Sequence, residues 1–259
     1  MRLRILTYNI HKGFAFNNRR SVLSGIRTAL RKLNPDILFL QEVMGESSEQ
    51  RFRIPEWETC AQFEYLADSY WSHCAYGKNA IYPQGHHGNA ILSRYPIVSW
   101  HNETISEHQA EPRGLLRARV MIPETGQEVS LYNTHLDLRQ IERNKQCEKI
   151  IKILSTEKQN PWVLVGDFND WNKVLASKLE ERLGTREVFE QLHGKLPRTF
   201  PSFLPVLPLD RIYLHQAAPI VAERLTGPEW KRLSDHVPLY VELQILGPSQ
   251  DRREAVGKV

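Results

Sequence analysis

The sequence predicts an α+β fold in which two mixed β-sheets pack face to face with helices outside, a four-layer α/β/β/α sandwich. Three observations carry that expectation. Tyr8-Asn9-Ile10-His11 is echoed 124 residues later by Tyr132-Asn133-Thr134-His135. Each copy ends an extended run and precedes a helix-period segment, then a short apolar strand that ends in an acid. A second echo links Leu92-Ser93-Arg94-Tyr95-Pro96-Ile97 to Leu233-Ser234-Asp235-His236-Val237-Pro238-Leu239. Two strand–helix–strand halves with related ends fit one domain over residues 1–246 with a short polar tail over 247–259. The period is far too long for a solenoid.

The elements follow in order. Leu3 to Ile10 reads as a strand, its basic start broken by polar residues before any apolar stretch of signal-peptide length. Val22, Ile26, Ala29, Leu30 and Leu33 share one helical face, with Ser21 as the expected N-cap and Pro35 just past the end. Ile37-Leu38-Phe39-Leu40 is a buried strand that delivers Gln41-Glu42. Met44 to Arg53 reads as a loop and Pro55 to Tyr70 as a helix. Ala75 to Asn89, with three glycines, a proline and His86-His87, reads as a surface loop. From Gly114 to Ile122, apolar residues alternate with Arg117 and Arg119, giving a strand with one apolar and one basic face. The second half repeats the scheme. Val129 to Asn133 is extended, Leu138 to Leu154 is helical, and Trp162-Val163-Leu164-Val165 delivers Gly166-Asp167-Phe168-Asn169. Gly184 to Pro208, with four prolines, reads as an irregular excursion.

Composition narrows the class without naming a function. Lys and Arg number 34 against 30 Asp and Glu, a net charge of +4 that suits an anionic partner but not a dedicated nucleic-acid coat. No run approaches the ~18 apolar residues that cross a bilayer. The three cysteines show no CxxC spacing and an odd count, so neither a disulfide framework nor a zinc ribbon is indicated. A soluble monomer in a reducing cytoplasm is the expectation.

The chemistry collects at strand ends. Asn9 and His11, Glu42, His135, Asp167 with Asn169, Asp210, and Asp235 with His236 all fall there. On one shared rim they make four carboxylates, two amides and three histidines. Such a density of acids repels itself unless a cation sits among them. Oxygen donors dominate and no cysteine joins in, which fits Mg²⁺ or Mn²⁺ better than zinc. Each residue alone also reads as a turn or hydrogen-bonding residue; the joint pattern argues for a site. Arg94, Arg113 and Arg143 with Gln146 are candidate contacts to an anionic substrate. The tryptophans read mostly as core anchors, and Trp171, just past Asn169, is a candidate ring platform. His86-His87 is read as loop, since adjacent residues rarely chelate together.

Asn9, Leu40-Gln41-Glu42, Asn133-Thr134-His135, Gly166-Asp167-Phe168-Asn169, Leu209-Asp210-Arg211-Ile212 and Ser234-Asp235-His236-Val237-Pro238 resemble, in order, the signature blocks of the endonuclease/exonuclease/phosphatase (DNase I-like) superfamily. The resemblance runs from residue 7 to about 243. It implies a metal-dependent phosphoester hydrolase, with a phosphodiester substrate favoured and DNA or RNA competing with a lipid headgroup or small molecule. It also implies Glu42 as the main metal carboxylate, with Asn9 close by and Asp235 as a second or water-mediated ligand. Asp167 would align or deprotonate water and Asn169 would bond a phosphoryl oxygen. His236, oriented by Asp210, would contact the scissile phosphate, and His135 would donate to another of its oxygens.

The chain departs from the abasic-site branch at His11, where that branch carries an acid or amide, and at Val43-Met44. His11 is therefore a substrate-side candidate. A lipid enzyme would need an apolar lip, for which Phe14-Ala15-Phe16 and Phe203-Leu204-Pro205-Val206-Leu207 are candidates. A rival of another class is a phosphate-binding module that has lost its chemistry.

Overall fold

The central strands are apolar on both faces, so each must be covered twice. The computed structural model describes residues 1–16, 21–47, 60–106 and 111–246. A six-stranded sheet runs β10 (Ala217–Arg224), β11 (Leu239–Ile245), β1 (Arg2–Asn9), β2 (Ile37–Ser47), β4 (Gly85–Ser93) and β3 (His73–Tyr82). A five-stranded sheet runs β5 (Ile97–Thr104), β6 (Gly114–Ile122), β7 (Gln127–His135), β8 (Trp162–Asp167) and β9 (Asp210–His215). Between β1 and β2 lies α1 (Leu23–Leu33), and the short α2 (Gln62–Ala67) precedes β3. Between β7 and β8 lies α3 (Gln140–Leu154), and α4 (Val174–Leu183) and α5 (Val188–His193) precede β9.

The internal echo is structural. β1 pairs parallel with β2, and β7 pairs parallel with β8, each through one intervening helix. The register brings Asn9 opposite Gln41 in the first unit and His135 opposite Asp167 in the second. Period-2 alternation sorts the core into three layers. Leu3, Ile5, Ile37, Phe39, Leu131, Val163 and Val165 point between the sheets. Leu6, Tyr8, Leu38 and Leu40 point outward to meet Ile26 and Leu30 of α1. Tyr132, Trp162 and Leu164 meet Ile150, Leu154, Leu175 and Leu179 of α3 and α4. Each large side chain so buried gives up roughly 1.5–3 kcal/mol of exposure cost.

A polar seam interrupts the inter-sheet layer near the strand ends. Gln41 Nε2 donates to Asn133 Oδ1 at 2.7 Å, and Asn133 Nδ2 donates to the carbonyls of Leu40 and Ala90, both at 2.9 Å. These amides are fully buried, so their bonds lock the relative position of the two sheets.

Several expectations are corrected. Residues 75–89 are not a loop but most of the β3–β4 hairpin, in which Gly85 takes a positive φ at the turn. Met44 to Ser47 continue β2, and the rest of the loop expected to Arg53 lies outside the described residues, as do the tail over 247–259 and Trp57. Helix α2 occupies only Gln62–Ala67 of the expected 55–70 segment; residues 55–59 are outside the described set. Val22, not Ser21, is the N-cap of α1, because Ser21 is drawn into a bridge with Phe14. The 184–208 excursion contains α5. Trp71, Trp162 and Trp230 are core residues, but Trp100 is surface-exposed.

Candidate active site

Strand alternation would send residue 42 outward like Leu38 and Leu40. Instead Val43 takes the outward position, because the β2–β4 register shifts between Leu40 and Val43. Glu42 is the inserted residue, with φ of 54°, and the bulge turns its carboxylate to the rim. Asn169 (φ 49°) and His11 (φ 47°) adopt the same left-handed region. Such conformations cost non-glycine residues about 1–3 kcal/mol each and cluster where the fold must aim a side chain. Gly166 answers a different demand. A Cβ there would lie 1.9 Å from Thr134 O, so only glycine lets β8 close on β7 and bring Asp167 beside His135.

Asn9 is the hinge of the cluster. Its Nδ2 donates both to Glu42 Oε1 and to Asp167 Oδ2, each at 3.1 Å, joining an end of one sheet to an end of the other. Its Oδ1 accepts from the backbone N–H of His11 at 3.0 Å, which leaves that oxygen one further lone pair.

One half of the site is closed. Nδ1 of His236 bonds Asp210 Oδ2 at 2.8 Å, while its Nε2 lies 3.7 Å from Asp167 Oδ2. Burial alone would strip His236 of its proton, but Asp210 and Asp167 overcome it and hold the imidazole at about 10, an imidazolium at neutral pH. Burial pushes the Asp167 carboxyl up to about 6, with the charge of Asp210 adding and His236 opposing. His135 Nε2 lies 3.5 Å from Asp167 Oδ2; burial first and the Arg113 charge next lower it well below the usual histidine range, so it is neutral. Asn169 donates its backbone N–H to Asp167 Oδ1 and its Nδ2 to Leu136 O, leaving one amide hydrogen for another acceptor.

The other half is open. His11 Nδ1 lies 3.2 Å from Asp235 Oδ2 and 3.9 Å from Glu42 Oε2, and all three side chains keep 16–20% of their surface exposed. His11 Nε2 is buried without a hydrogen-bond partner. Two places thus offer metal-ligand atoms. Asp167, Asp210 and His236 bring one each within 4.8 Å of one another, but they are almost fully buried, and His236 and Asp210 already bond each other. The Glu42–Asp235 corner has two carboxylates that stay partly exposed to solvent, and it suits a hard cation that retains waters better.

The remaining candidates divide. Arg113 lies near enough to His135 and His87 to influence both. Arg143 is buried and braces the turn after β7, donating to the carbonyls of Asp137 and Leu138 while lying 4.5 Å over the Trp171 ring. Gln146 braces the same turn, accepting from Asp137 N and donating to Ser106. Arg94 is corrected: it sits at the far end of the sheet, bonded to Asn34, near Asp36 and over Tyr70. β4 runs antiparallel to β2, so the residue after its last strand position lies at the rim opposite Glu42. Asp210 and Arg211 do not pair; the buried Arg211 donates to the carbonyls of Pro208, Asp210 and Asp170.

Sequence reading missed Lys12 and His87. Lys12 follows His11 with φ of 56°, and its charge is felt at His87 and His135. Burial and Lys12 together hold His87 down at about 4. Asn89, just before the apolar run from Ala90 to Leu92, donates toward Gly114 O and Asn133 O; a lone amide beside such a run was the available signal. The two candidate lip segments meet, with Phe16 and Phe203 edge to face at 5.2 Å and both about half exposed.

The Endonuclease/Exonuclease/phosphatase family model matches residues 6–236. The protein YbhP of Escherichia coli (strain K12) is 42% identical over 243 residues, 93% of this chain and 96% of its own. An endonuclease/exonuclease/phosphatase from Beutenbergia cavernae DSM 12333 superposes with a TM-score of 0.75 at 20% identity, over 95% of this chain and 72% of that one. The human Nocturnin catalytic domain superposes with a TM-score of 0.73 at 19% identity, over 94% of each chain.

Proposed function

The chain belongs to the endonuclease/exonuclease/phosphatase family, and from that premise we propose that it is a Mg²⁺- or Mn²⁺-dependent phosphodiesterase, with a nucleic-acid strand as the favoured substrate. The observation that carries the reading is the double bond of Asn9, which couples the open carboxylate corner at Glu42 to the closed Asp167–His236–Asp210 cluster. Phosphoryl transfer needs those two environments side by side, one for charge neutralisation and one for moving a proton.

In this reading Glu42 and Asp235 would hold the cation, which would supply Lewis-acid charge to the phosphate oxygens and lower the pKa of water. Asp167, with a proton affinity near 6, orients the attacking water and takes its proton. His236 enters as the imidazolium and donates toward the phosphate as negative charge builds on it, while Asp210 fixes its ring and tautomer. Neutral His135 and the unspent Asn169 hydrogen donate to the remaining oxygens, with Lys12, His11 and Arg113 on the substrate side.

A second reading has its own observation. The Phe16–Phe203 pair and the exposed Leu204 and Val206 form an apolar lip of the kind an enzyme acting on lipid headgroups uses.

A turnover panel decides between them: single- and double-stranded DNA and RNA, bis-p-nitrophenyl phosphate, phospholipid vesicles and inositol phosphates, each with Mg²⁺, Mn²⁺ or EDTA. Glu42→Ala is expected to lower kcat/KM by about 10²-fold or more, as loss of one well-placed charge-stabilising group does. Turnover that survives both EDTA and Glu42→Ala overturns the reading.

A further inference from the structure

Beside the phosphate site lies a cavity of about 730 Å³ that the chemistry above does not use. One wall is Trp171 and Lys173, which follow the Asn169 turn; another is Val206, Leu207 and Pro208, which lead into Asp210. Lys195, Arg198 and Arg224 also line it, beside His193 and the apolar Phe189 and Leu196, and no carboxylate does. Among the described residues, the side chains of Lys173, Lys195 and Arg198 have no carboxylate partner, and Arg224 bonds only the carbonyl of Arg198.

Four exposed cations around a concavity that no carboxylate lines give it a positive potential that attracts an anion. Lys173 is the sharpest case. It takes a left-handed φ of 62° at the start of α4, where the helix dipole disfavours a cation, and the Asp170 carboxylate already caps the first N–H groups. A residue that breaks a local rule on both counts, at the edge of a cavity, points to a ligand.

The cavity is also tied to the active site. Thr199 and Phe200 bond to Leu207, Thr199 Oγ1 accepts from Asp210 N, and the Phe200 ring packs on His236 at 5.1 Å. The Trp171 indole carries the Arg143 guanidinium at 4.5 Å and remains 40% exposed, so it offers flat apolar surface as well as charge.

We propose that this cavity binds a second phosphate of the substrate together with its neighbouring base, so that the favoured substrate is a nucleic-acid strand with a phosphate beyond the scissile one. The inference rests on the phosphodiesterase reading for its place in catalysis but not for its binding. An apolar wall with an aromatic plate takes a base by stacking, and the cations take the phosphate. Its cations distinguish this site from the apolar Phe16–Phe203 lip, with which it shares Val206.

The test compares dithymidine monophosphate with the same dinucleotide phosphorylated at both ends. Turnover is followed by chromatography and binding by calorimetry, in the wild type, Lys195→Ala/Arg198→Ala and Trp171→Leu. The wild type is expected to prefer the end-phosphorylated form by about tenfold or more in kcat/KM and Kd, the size of one or two charge-assisted contacts. The double variant should lose most of that preference, and Trp171→Leu part of it. Arg182→Ala, a surface change elsewhere, should keep it, and circular dichroism checks that each variant folds. Equal turnover and affinity for both dinucleotides overturns the cavity and leaves the hydrolase standing. No turnover, with tighter binding of the end-phosphorylated form that the double variant abolishes, overturns the hydrolase and leaves the cavity standing. Absence of the preference, with co-sedimentation on phosphatidylserine vesicles that the double variant abolishes, reassigns the cations to a lipid surface and overturns the proposal.

Discussion

At the scale of the residue, the Asp210–His236 bond is the most consequential contact at the site. The two side chains are almost fully buried, and only the neighbouring carboxylates keep the imidazole charged against its burial. Asp210→Asn removes that charge while preserving shape, so His236 should lose its proton, and an amide that can donate as well as accept no longer fixes one tautomer. We expect kcat to fall by about 10²–10⁴-fold with KM little changed, as when a histidine loses its orienting acid. His236→Asn should abolish most of what remains, and the two losses should be strongly non-additive. Carbon-13 chemical shifts of labelled histidine report the protonation change independently of turnover. A charged ring in Asp210→Asn would rule out this account. The strand-end acids and His236 were legible in the sequence because the chemistry dictates their residue types and the strands dictate their places. Arg94 was not, because its composition fits a phosphate contact while the antiparallel direction of β4 carries it to the opposite rim. Lys12 was hidden beside the more conspicuous His11.

At the scale of the element, Glu187 shows how a buried acid is used without entering the chemistry. Its Oε2 accepts from Phe189 N at 2.7 Å and Glu190 N at 3.0 Å, capping α5, and its Oε1 accepts from Ile212 N in β9 at 3.3 Å. Burial nonetheless lifts the carboxyl to about 7, with Arg211 and those three N–H groups pulling the other way. Between its ordinary value of 4.5 and about 7 the folded chain holds a proton that the unfolded chain has released. This contribution to stability is therefore complete below pH 4.5 and is lost as pH rises through about 7, on the order of 3 kcal/mol in all. Glu187→Gln cannot ionise and should flatten that part of the profile. Urea midpoints at pH 5 and pH 8 measure it, and an unchanged pH difference in the variant would count against the shift. Glu187 gave no signal in a segment whose prolines read as irregular. The β3–β4 hairpin was hidden for a related reason. Glycine is a turn residue by composition, yet a Cβ at Gly88 would lie 1.8 Å from Gly77 O, so it is close strand approach that needs glycine there.

At the scale of the whole molecule, the two halves announced by the Tyr-Asn-x-His echo each supply part of the site. Glu42 sits at the bulge within a strand of one sheet, Asp167 ends a strand of the other, and their separation depends on how the sheets are docked. Apolar packing between sheets is non-directional and fixes that docking only loosely. The buried amides make it specific, with Asn133 reaching Leu40 O and Ala90 O while accepting from Gln41. The repeat made Asn133 visible in the sequence as part of a motif, but nothing there separates an amide that faces substrate from one that joins two sheets. Asn133→Ala strands Leu40 O and Ala90 O and leaves Gln41 Nε2 bonded only within its own sheet, to Thr7 Oγ1 and Phe39 O; each buried unpaired group costs about 1–3 kcal/mol. Leu179→Ala, in the layer between α4 and the five-stranded sheet, costs about 2–5 kcal/mol by leaving a cavity far from the rim. Two variants of similar stability should therefore differ in activity. At a temperature well below either unfolding midpoint, Leu179→Ala should keep wild-type kcat, whereas Asn133→Ala should lose about tenfold or more, since roughly 1 Å of misplacement is enough to do so. Equal activity in the two would mean that the sheets hold their docking through apolar contact alone, and that the amide seam serves stability without aligning the site.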